Sequence, residues 1–178
     1  MKTVQNDTRA HILDVGYQLI AQKGFVGVGL AEILQQAGVP KGSFYHYFPS
    51  KELFGQALIE HYFEDYVTRL SALFADVKKP ARERLMAYWH YVLETQAANC
   101  CEGSDGQRCL VVKLSAEVAD LSESMRMALL SGYREVIALI AQCMRDGVAD
   151  GSLPARLFPD LDAQILYHLW LGASLANK

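Results

Sequence analysis

Apolar residues recur every three or four positions along most of this chain, which is the spacing of amphipathic α-helices. The first such stretch begins at a cap on Asn6 or Asp7 and ends near Gln22, where Lys23 and Gly24 form a basic last turn and a glycine C-cap. Further helical stretches are predicted at residues 30–37, 50–74, 81–98, 108–119, 123–149 and 160–178. The pattern therefore predicts an all-α fold.

A short polar and aromatic segment separates the second stretch from the long one that begins near Ser50. Gly38 suits a tight turn, Pro40 suits the first position of a helix, and Pro49 ends that helix. Ser50 is a good N-cap for the next helix, and Glu52 lies in its first turn. The segment is thus predicted to be a turn followed by a very short helix.

The short helix has two chemically different faces. Phe44, Tyr47 and Phe48 fall at i, i+3 and i+4, so they can anchor the helix to a core. The outward face is then made of Lys41, Ser43, Tyr45 and His46. Side chains that can reach phosphates and base edges, on a helix after a glycine turn, are typical of the recognition half of a helix-turn-helix.

The motif reads Gly38-Val39-Pro40-Lys41-Gly42-Ser43-Phe44-Tyr45-His46-Tyr47-Phe48 and continues, after one residue, with Ser50-Lys51-Glu52. This run resembles the signature of the TetR family of one-component transcriptional regulators. The resemblance implies a three-helix DNA-binding head, residues 1–50, and a helical sensor and dimerisation body, residues 51–178. It also implies a homodimer that binds a palindromic double-stranded DNA operator.

The resemblance assigns DNA contacts to Lys41, Gly42, Ser43, Tyr45, His46, Tyr47 and Lys51. Tyr47 and Lys51 match positions that hold phosphates, and Gly42 lets the backbone come close to the DNA. By residue type alone, Tyr47 is equally a packing residue, and the alternative for Lys51 is a solvated surface lysine. Gly29 stands where family members usually have a threonine or serine that touches a phosphate, so we expect that hydroxyl contact to be lost here.

Charge is divided unevenly along the chain. The 178 residues carry a net charge of −3, yet residues 1–51 hold five basic and three acidic side chains, a net of +2. The remaining twelve basic and seventeen acidic residues give −5. A mildly basic head on an acidic body can still bind DNA, because phosphate contacts are local. We find no signal-peptide core and no apolar run of bilayer length, so a cytoplasmic location without a membrane partner is expected.

The four cysteines are Cys100, Cys101, Cys109 and Cys143, and in a cytosolic chain they are expected as thiols. Cys109 lies near a predicted helix start, beside Arg108 and one turn before Lys113, and these surroundings favour the reactive thiolate. Cys143 lies in the middle of a helix on an apolar face and is expected to be inert core.

Two segments, which begin at Cys109-Leu110-Val111-Val112-Lys113 and at Leu169-Trp170-Leu171-Gly172-Ala173, resemble the NemR-type subgroup of the family. Members of that subgroup respond to electrophiles and reactive chlorine. The resemblance makes Cys109 the sensor and brings Lys178 close to it. The implied inducer is an electrophilic or oxidising small molecule.

Other interpretations stay open. A reversible ligand pocket in the body would be lined by Tyr88, Trp89, Tyr167 and Trp170, with Met86, although aromatic stripes are first of all packing. A disulfide of Cys109 with Cys100 or Cys101, or a zinc site on these cysteines, are further alternatives. The sequence has no phosphate-binding glycine loop and no catalytic Ser-His-Asp or paired-carboxylate motif, so neither an enzyme nor a cofactor or metal is expected.

Overall fold

A computed structural model describes the backbone of residues 2–98, 114–115, 117–118 and 121–176, and the side chains from residue 7 to 94 and at the described positions beyond 113. The helices of these residues are α1 (Lys2–Lys23), α2 (Leu30–Ala37), α3 (Lys41–Tyr47), α4 (Lys51–Phe74), α5 (Ala81–Ala98), α6 (Glu123–Ala149) and α7 (Pro159–Ala176). Leu114, Ser115, Glu117 and Val118 are also helical. Within this part of the chain there is no strand, and the predicted all-α class is confirmed.

The chain divides into two compact units. One spans Met1–Tyr62 and Asn99–Leu129, and the other spans Phe63–Ala98 and Leu130–Lys178. The first unit therefore includes the beginning of α4 beyond the predicted head boundary at residue 50. This part of α4 belongs to the first unit because its residue Phe54 is fully buried there.

Gly38 and Pro40 form the turn between α2 and α3. Gly38 has φ +63°, its N–H donates to Gln35 O, and the next N–H, of Val39, donates to Leu34 O at 3.1 Å, which is the Schellman pattern. Pro40 is extended, with φ −71° and ψ 151°, and caps α3 from outside. The prediction that Pro40 is the first helical residue is thus wrong by one position, because its carbonyl already accepts the N–H groups of the first turn.

Serine side chains begin the two longest helices. Ser50 Oγ accepts the Leu53 N–H at 3.1 Å at the start of α4, and Ser122 Oγ accepts the Met125 N–H at 3.4 Å at the start of α6. The latter contact selects Ser122 over Asp120 as the cap. By contrast, α1 begins at Lys2 and not at the predicted cap, since residues 2–6 contain neither glycine nor proline to stop the helix.

Among the described residues, α6 alone is long and apolar enough to cross a membrane. Its apolar side is instead packed inside the protein, where Val136, Ile140 and Cys143 are at most 1% exposed. In the same unit Arg84 is buried and donates from Nη1 to Phe74 O at 2.5 Å. We conclude that α6, from Leu130 onward, is a core helix of the second unit.

Candidate nucleic-acid interface

The short helix α3 is anchored by aromatic side chains. Phe44 is fully buried and Phe48 is 2% exposed. The Phe44 ring lies 5.3 Å from the rings of both Phe48 and Phe54, and the Phe48 and Phe54 rings are 5.1 Å apart. This three-ring cluster joins α3 to the first turn of α4, so one side of α3 is fixed in position.

The other side of α3 is open to solvent. Lys41, Tyr45 and His46 are exposed, as predicted, and so is Gly42. The Lys41 Nζ lies 5.8 Å from the centre of the Tyr45 ring. Ser43 is half-buried and so faces outward less than predicted. A cation, two aromatic rings with polar atoms and a bare backbone position thus share one accessible surface.

Tyr47 lies at the edge between the two sides. Its ring is half-buried, 4.9 Å from the His46 ring and 6.3 Å from the Phe48 ring. The side chain therefore packs on the aromatic cluster and also keeps part of its surface accessible.

Gly42 has no structural reason within the described protein to be glycine. Its φ is not positive, and an added Cβ would meet nothing within 4 Å. A glycine in the first turn of a helix lowers helix stability relative to alanine. The open space at Gly42 is therefore available to a partner that approaches the backbone.

Lys51 is engaged by the protein itself. Its Nζ donates to Phe25 O at 2.8 Å and lies 4.6 Å from the centre of the Phe25 ring. Partial burial lowers the pKa of the Lys51 ammonium. Lys51 is thus not a simple solvated lysine, although an ammonium has three N–H groups and this carbonyl takes one of them.

Glu117 also binds the backbone at Phe25, in the turn between α1 and α2. The sequence did not predict this contact. The Glu117 Oε2 accepts the Phe25 N–H at 2.7 Å and the Val26 N–H at 3.4 Å. The two partners are 91 and 92 residues away in the chain, and an isolated glutamate on a helix reads as a solvated side chain. Local sequence therefore carries no signal for this contact.

The predicted sensor residues Cys109 and Lys178 lie outside the described residues, as do the alternative thiols Cys100 and Cys101. Cys143 is described and is 1% exposed, with its Sγ donating to Ala81 O at 3.7 Å. Burial raises the pKa of the Cys143 thiol to about 11. Cys143 therefore has the environment of an inert core residue.

The second unit contains a pocket of about 180 Å³ lined by Tyr66, Arg69, Leu70, Leu73, Tyr88 and Tyr91. The hydroxyls of Tyr66 and Tyr88 are 2.9 Å apart. Of the residues predicted to line a pocket, Tyr88 lines this one, and the ring of Trp89 lies 4.8 Å from the Tyr88 ring. Tyr167 and Trp170 belong to another aromatic cluster, in which their rings are 5.5 Å apart. Met86, also predicted to line the pocket, is 45% exposed. The described residues contain no cluster of side chains able to hold a metal.

Comparison with known proteins gives matches along nearly the whole chain. Residues 12–63 match bacterial regulatory proteins of the tetR family, and residues 81–178 match the tetracyclin repressor-like C-terminal domain. The HTH-type transcriptional repressor NemR of Escherichia coli K12 is 46% identical over 99% of this chain and 87% of its own length. The repressor DhaR of Mycobacterium sp. GP1 is 34% identical over 96% of this chain and 82% of its own length.

The fold agrees with these matches. The crystal structure of reduced E. coli NemR superposes with a TM-score of 0.87 at 48% identity, and the match covers 96% of this chain and 86% of that one. The proteins that this chain resembles are transcriptional regulators and not enzymes.

Proposed function

This chain belongs to the TetR family of bacterial regulatory proteins, and we propose that it is a repressor that leaves its operator when a cysteine reacts with an electrophile or an oxidant. The DNA-binding part of the proposal rests on one observation, the exposed face of a short helix that buried phenylalanines hold from behind. An anchored helix with accessible polar side chains is the arrangement that reads a major groove.

In this proposal Lys41, Ser43, Tyr45 and His46 contact base edges or phosphates, and the backbone approaches the DNA at Gly42. Tyr47 contacts a phosphate from the edge of the face. Lys51 uses one N–H on Phe25 O and offers the others to a phosphate. Phosphate contacts position such a head and base contacts specify the sequence, so the side chains among these four that reach base edges determine operator choice.

We further propose that the protein acts as a homodimer on a palindromic operator, as TetR-family regulators do. The support is an exposed apolar face on α7, where Leu161, Ile165, Leu166, Leu169 and Leu175 are 38–65% exposed. An added Cβ at Gly172 on the same helix would meet nothing within 4 Å, so a second helix can approach closely there. Apolar patches of this kind mark protein–protein contacts.

The sensing part of the proposal assigns the reactive thiol to Cys109, with Lys178 as a nearby cation that favours the thiolate. Two arguments support it. Cys143 is buried with a raised pKa, which leaves Cys100, Cys101 and Cys109 as the reactive candidates. In addition, the NemR structure was crystallised in a reduced form, so redox state distinguishes forms of that relative.

The test is operator release. Protein bound to DNA from upstream of its own gene is treated with N-ethylmaleimide or hypochlorite, and the wild type is compared with Cys109→Ser. Release of the wild type and retention of the variant supports Cys109 as the sensor. If both are released, Cys100 or Cys101 is responsible. If neither responds, the cysteine proposal is wrong.

A second candidate function is reversible induction by a small apolar ligand. The pocket at Tyr66 and Tyr88 favours it, because it combines apolar walls with a hydrogen-bonded pair of hydroxyls. A variant with all four cysteines replaced separates the two candidates. Operator release of that variant by an unreactive aromatic compound would support the pocket and not the thiol.

A further inference from the structure

The turn between α1 and α2 is held on both sides of a single residue. The N–H of Phe25 donates to Glu117 Oε2 at 2.7 Å, and the carbonyl of Phe25 accepts from Lys51 Nζ at 2.8 Å. The next N–H, of Val26, also points to the Glu117 carboxylate at 3.4 Å. We call this arrangement of Glu117 and Lys51 around Phe25 the turn clamp.

Two sides of the turn clamp are closely packed. An added Cβ at Gly24 would lie 2.3 Å from Glu117 Oε1, so the carboxylate rests directly against the backbone of the turn. The Phe25 ring is 5% exposed, and a Cβ at Gly55 of α4 would meet it at 2.7 Å and Met125 of α6 at 2.6 Å. The Glu117 carboxylate and the Phe25 ring are therefore each in close contact with neighbouring backbone or side chains.

Glu117 comes from a part of the chain far from the helix-turn-helix. It lies eight residues after Cys109 and six before the start of α6, and the adjacent Val118 carbonyl accepts the N–H groups of Leu121 and Ser122. The turn that it holds leads directly into α2 and from there into α3. Glu117 thus joins the segment between the predicted sensor and α6 to the start of the DNA-binding helices.

Carboxylate–amide hydrogen bonds are stronger than neutral ones, and losing the carboxylate leaves two backbone N–H groups without this acceptor. We propose that Glu117 is a positioning residue that holds the α1–α2 turn, and through it α2 and α3, in the DNA-binding arrangement. Operator release requires the turn clamp to open. This inference rests on the operator binding proposed above and not on the identity of the inducer.

The first test compares operator affinity among three variants of the full chain. Glu117→Ala should weaken operator binding about tenfold, which is the scale of one charge-assisted hydrogen bond. Glu117→Gln keeps an oxygen acceptor without the charge and should lie between Glu117→Ala and the wild type. Glu123→Ala is the matched control, because it removes the same charge from a carboxylate that pairs with Arg126 of its own helix. Equal affinities for Glu117→Ala and Glu123→Ala would overturn the proposal.

The second test follows the clamp in the wild-type protein and does not depend on any variant folding. The Phe25 and Val26 amides should exchange slowly with deuterium in the untreated protein and faster after treatment with N-ethylmaleimide or hypochlorite at a dose that releases the operator. If Glu117 only stabilises the fold, treatment will not change the protection of these two amides from deuterium exchange. This result would overturn the proposal. If neither reagent releases the operator, the cysteine proposal fails, while the affinity comparison still decides on Glu117.

Discussion

The two turns of the DNA-binding head are built in opposite ways. The α1–α2 turn is filled by the protein, since Glu117 and Lys51 bind Phe25 from both sides and Gly24 has no room for a side chain. The α2–α3 turn is empty on its outer side, and added Cβ atoms at Gly38 and Gly42 would meet nothing within 4 Å. One turn is fixed from inside the molecule, and the other is left open for a partner.

The two turns distinguish glycines that the fold requires from a glycine that leaves space for a partner. Gly24 and Gly38 both have positive φ, so the fold itself requires them, while Gly42 does not. Of these three glycines, only Gly24 also lies close to a side chain of the protein. Substitution at the three positions should therefore give three different results.

The largest effect is expected for Gly24→Ala. The backbone must hold φ +79° with a Cβ, and the Glu117 carboxylate must move away from its amide donors. The left-handed strain and the lost hydrogen bonds together should lower the free energy of unfolding by about 2–4 kcal/mol. Denaturant unfolding followed by circular dichroism measures this loss. A loss equal to that of Gly38→Ala would mean that Glu117 does not occupy the turn as described.

Gly38→Ala should cost less, because only backbone strain at φ +63° is added and no neighbour is displaced. We expect a loss of about 1–2 kcal/mol in the free energy of unfolding. Gly38→Asn is the control, since asparagine tolerates this conformation better than alanine and should recover part of the loss. The same unfolding experiment measures both variants, and a neutral Gly38→Ala would contradict the assigned C-cap.

Gly42→Ala should separate stability from binding. An alanine fits the helical backbone of α3 and should raise the free energy of unfolding by up to about 0.5 kcal/mol. Its methyl group occupies the space proposed for the DNA, so operator binding should weaken. Fluorescence anisotropy with labelled operator measures the affinity. An unchanged affinity would show that the backbone at Gly42 does not approach DNA.

At neutral pH the smallest effect is expected at Cys143, which lies outside both turns and whose contribution changes only in alkaline solution. The raised pKa means that burial favours the protonated thiol, so its contribution to stability is present below the ordinary pKa of 9.0 and is lost as pH rises from there through about 11. Cys143→Ala should remove this alkaline dependence and leave inducer release unchanged. Unfolding curves of the wild type and the variant at pH 8 and pH 10.5 test the alkaline dependence. Altered release of the operator by the inducer would refute the second expectation.

Local signals in the sequence predicted most of the helices correctly. Gly29 and Gly38 frame α2, Ala81 follows the break at Pro80, and Ser122 begins α6, and in each case the residue acts through its own backbone or its immediate neighbours. The start of α1 was wrong because the signal there was only a preference for a cap, with no breaker to enforce it.

The candidate site was predicted less completely. The buried and exposed faces of α3 follow from helical spacing, so Phe44, Phe48 and Tyr45 were identified correctly. The contacts of Lys51 and Glu117 join residues that are 26 and 92 positions apart, and tertiary packing alone brings them to Phe25. The pocket likewise needs Tyr66 and Tyr91 from neighbouring helices, which no periodicity singles out from ordinary packing.

The most direct measurement is the operator affinity of a Lys41→Ala, Tyr45→Ala double variant, determined beside its free energy of unfolding. Both side chains lie on the exposed face of α3 and neither is part of the core. We predict binding at least about tenfold weaker with a change in unfolding free energy below about 0.5 kcal/mol, because DNA contacts are lost and packing is kept. A loss of operator affinity of no more than about twofold would be well below the loss expected for one direct base contact. That result would contradict the assignment of this face to DNA.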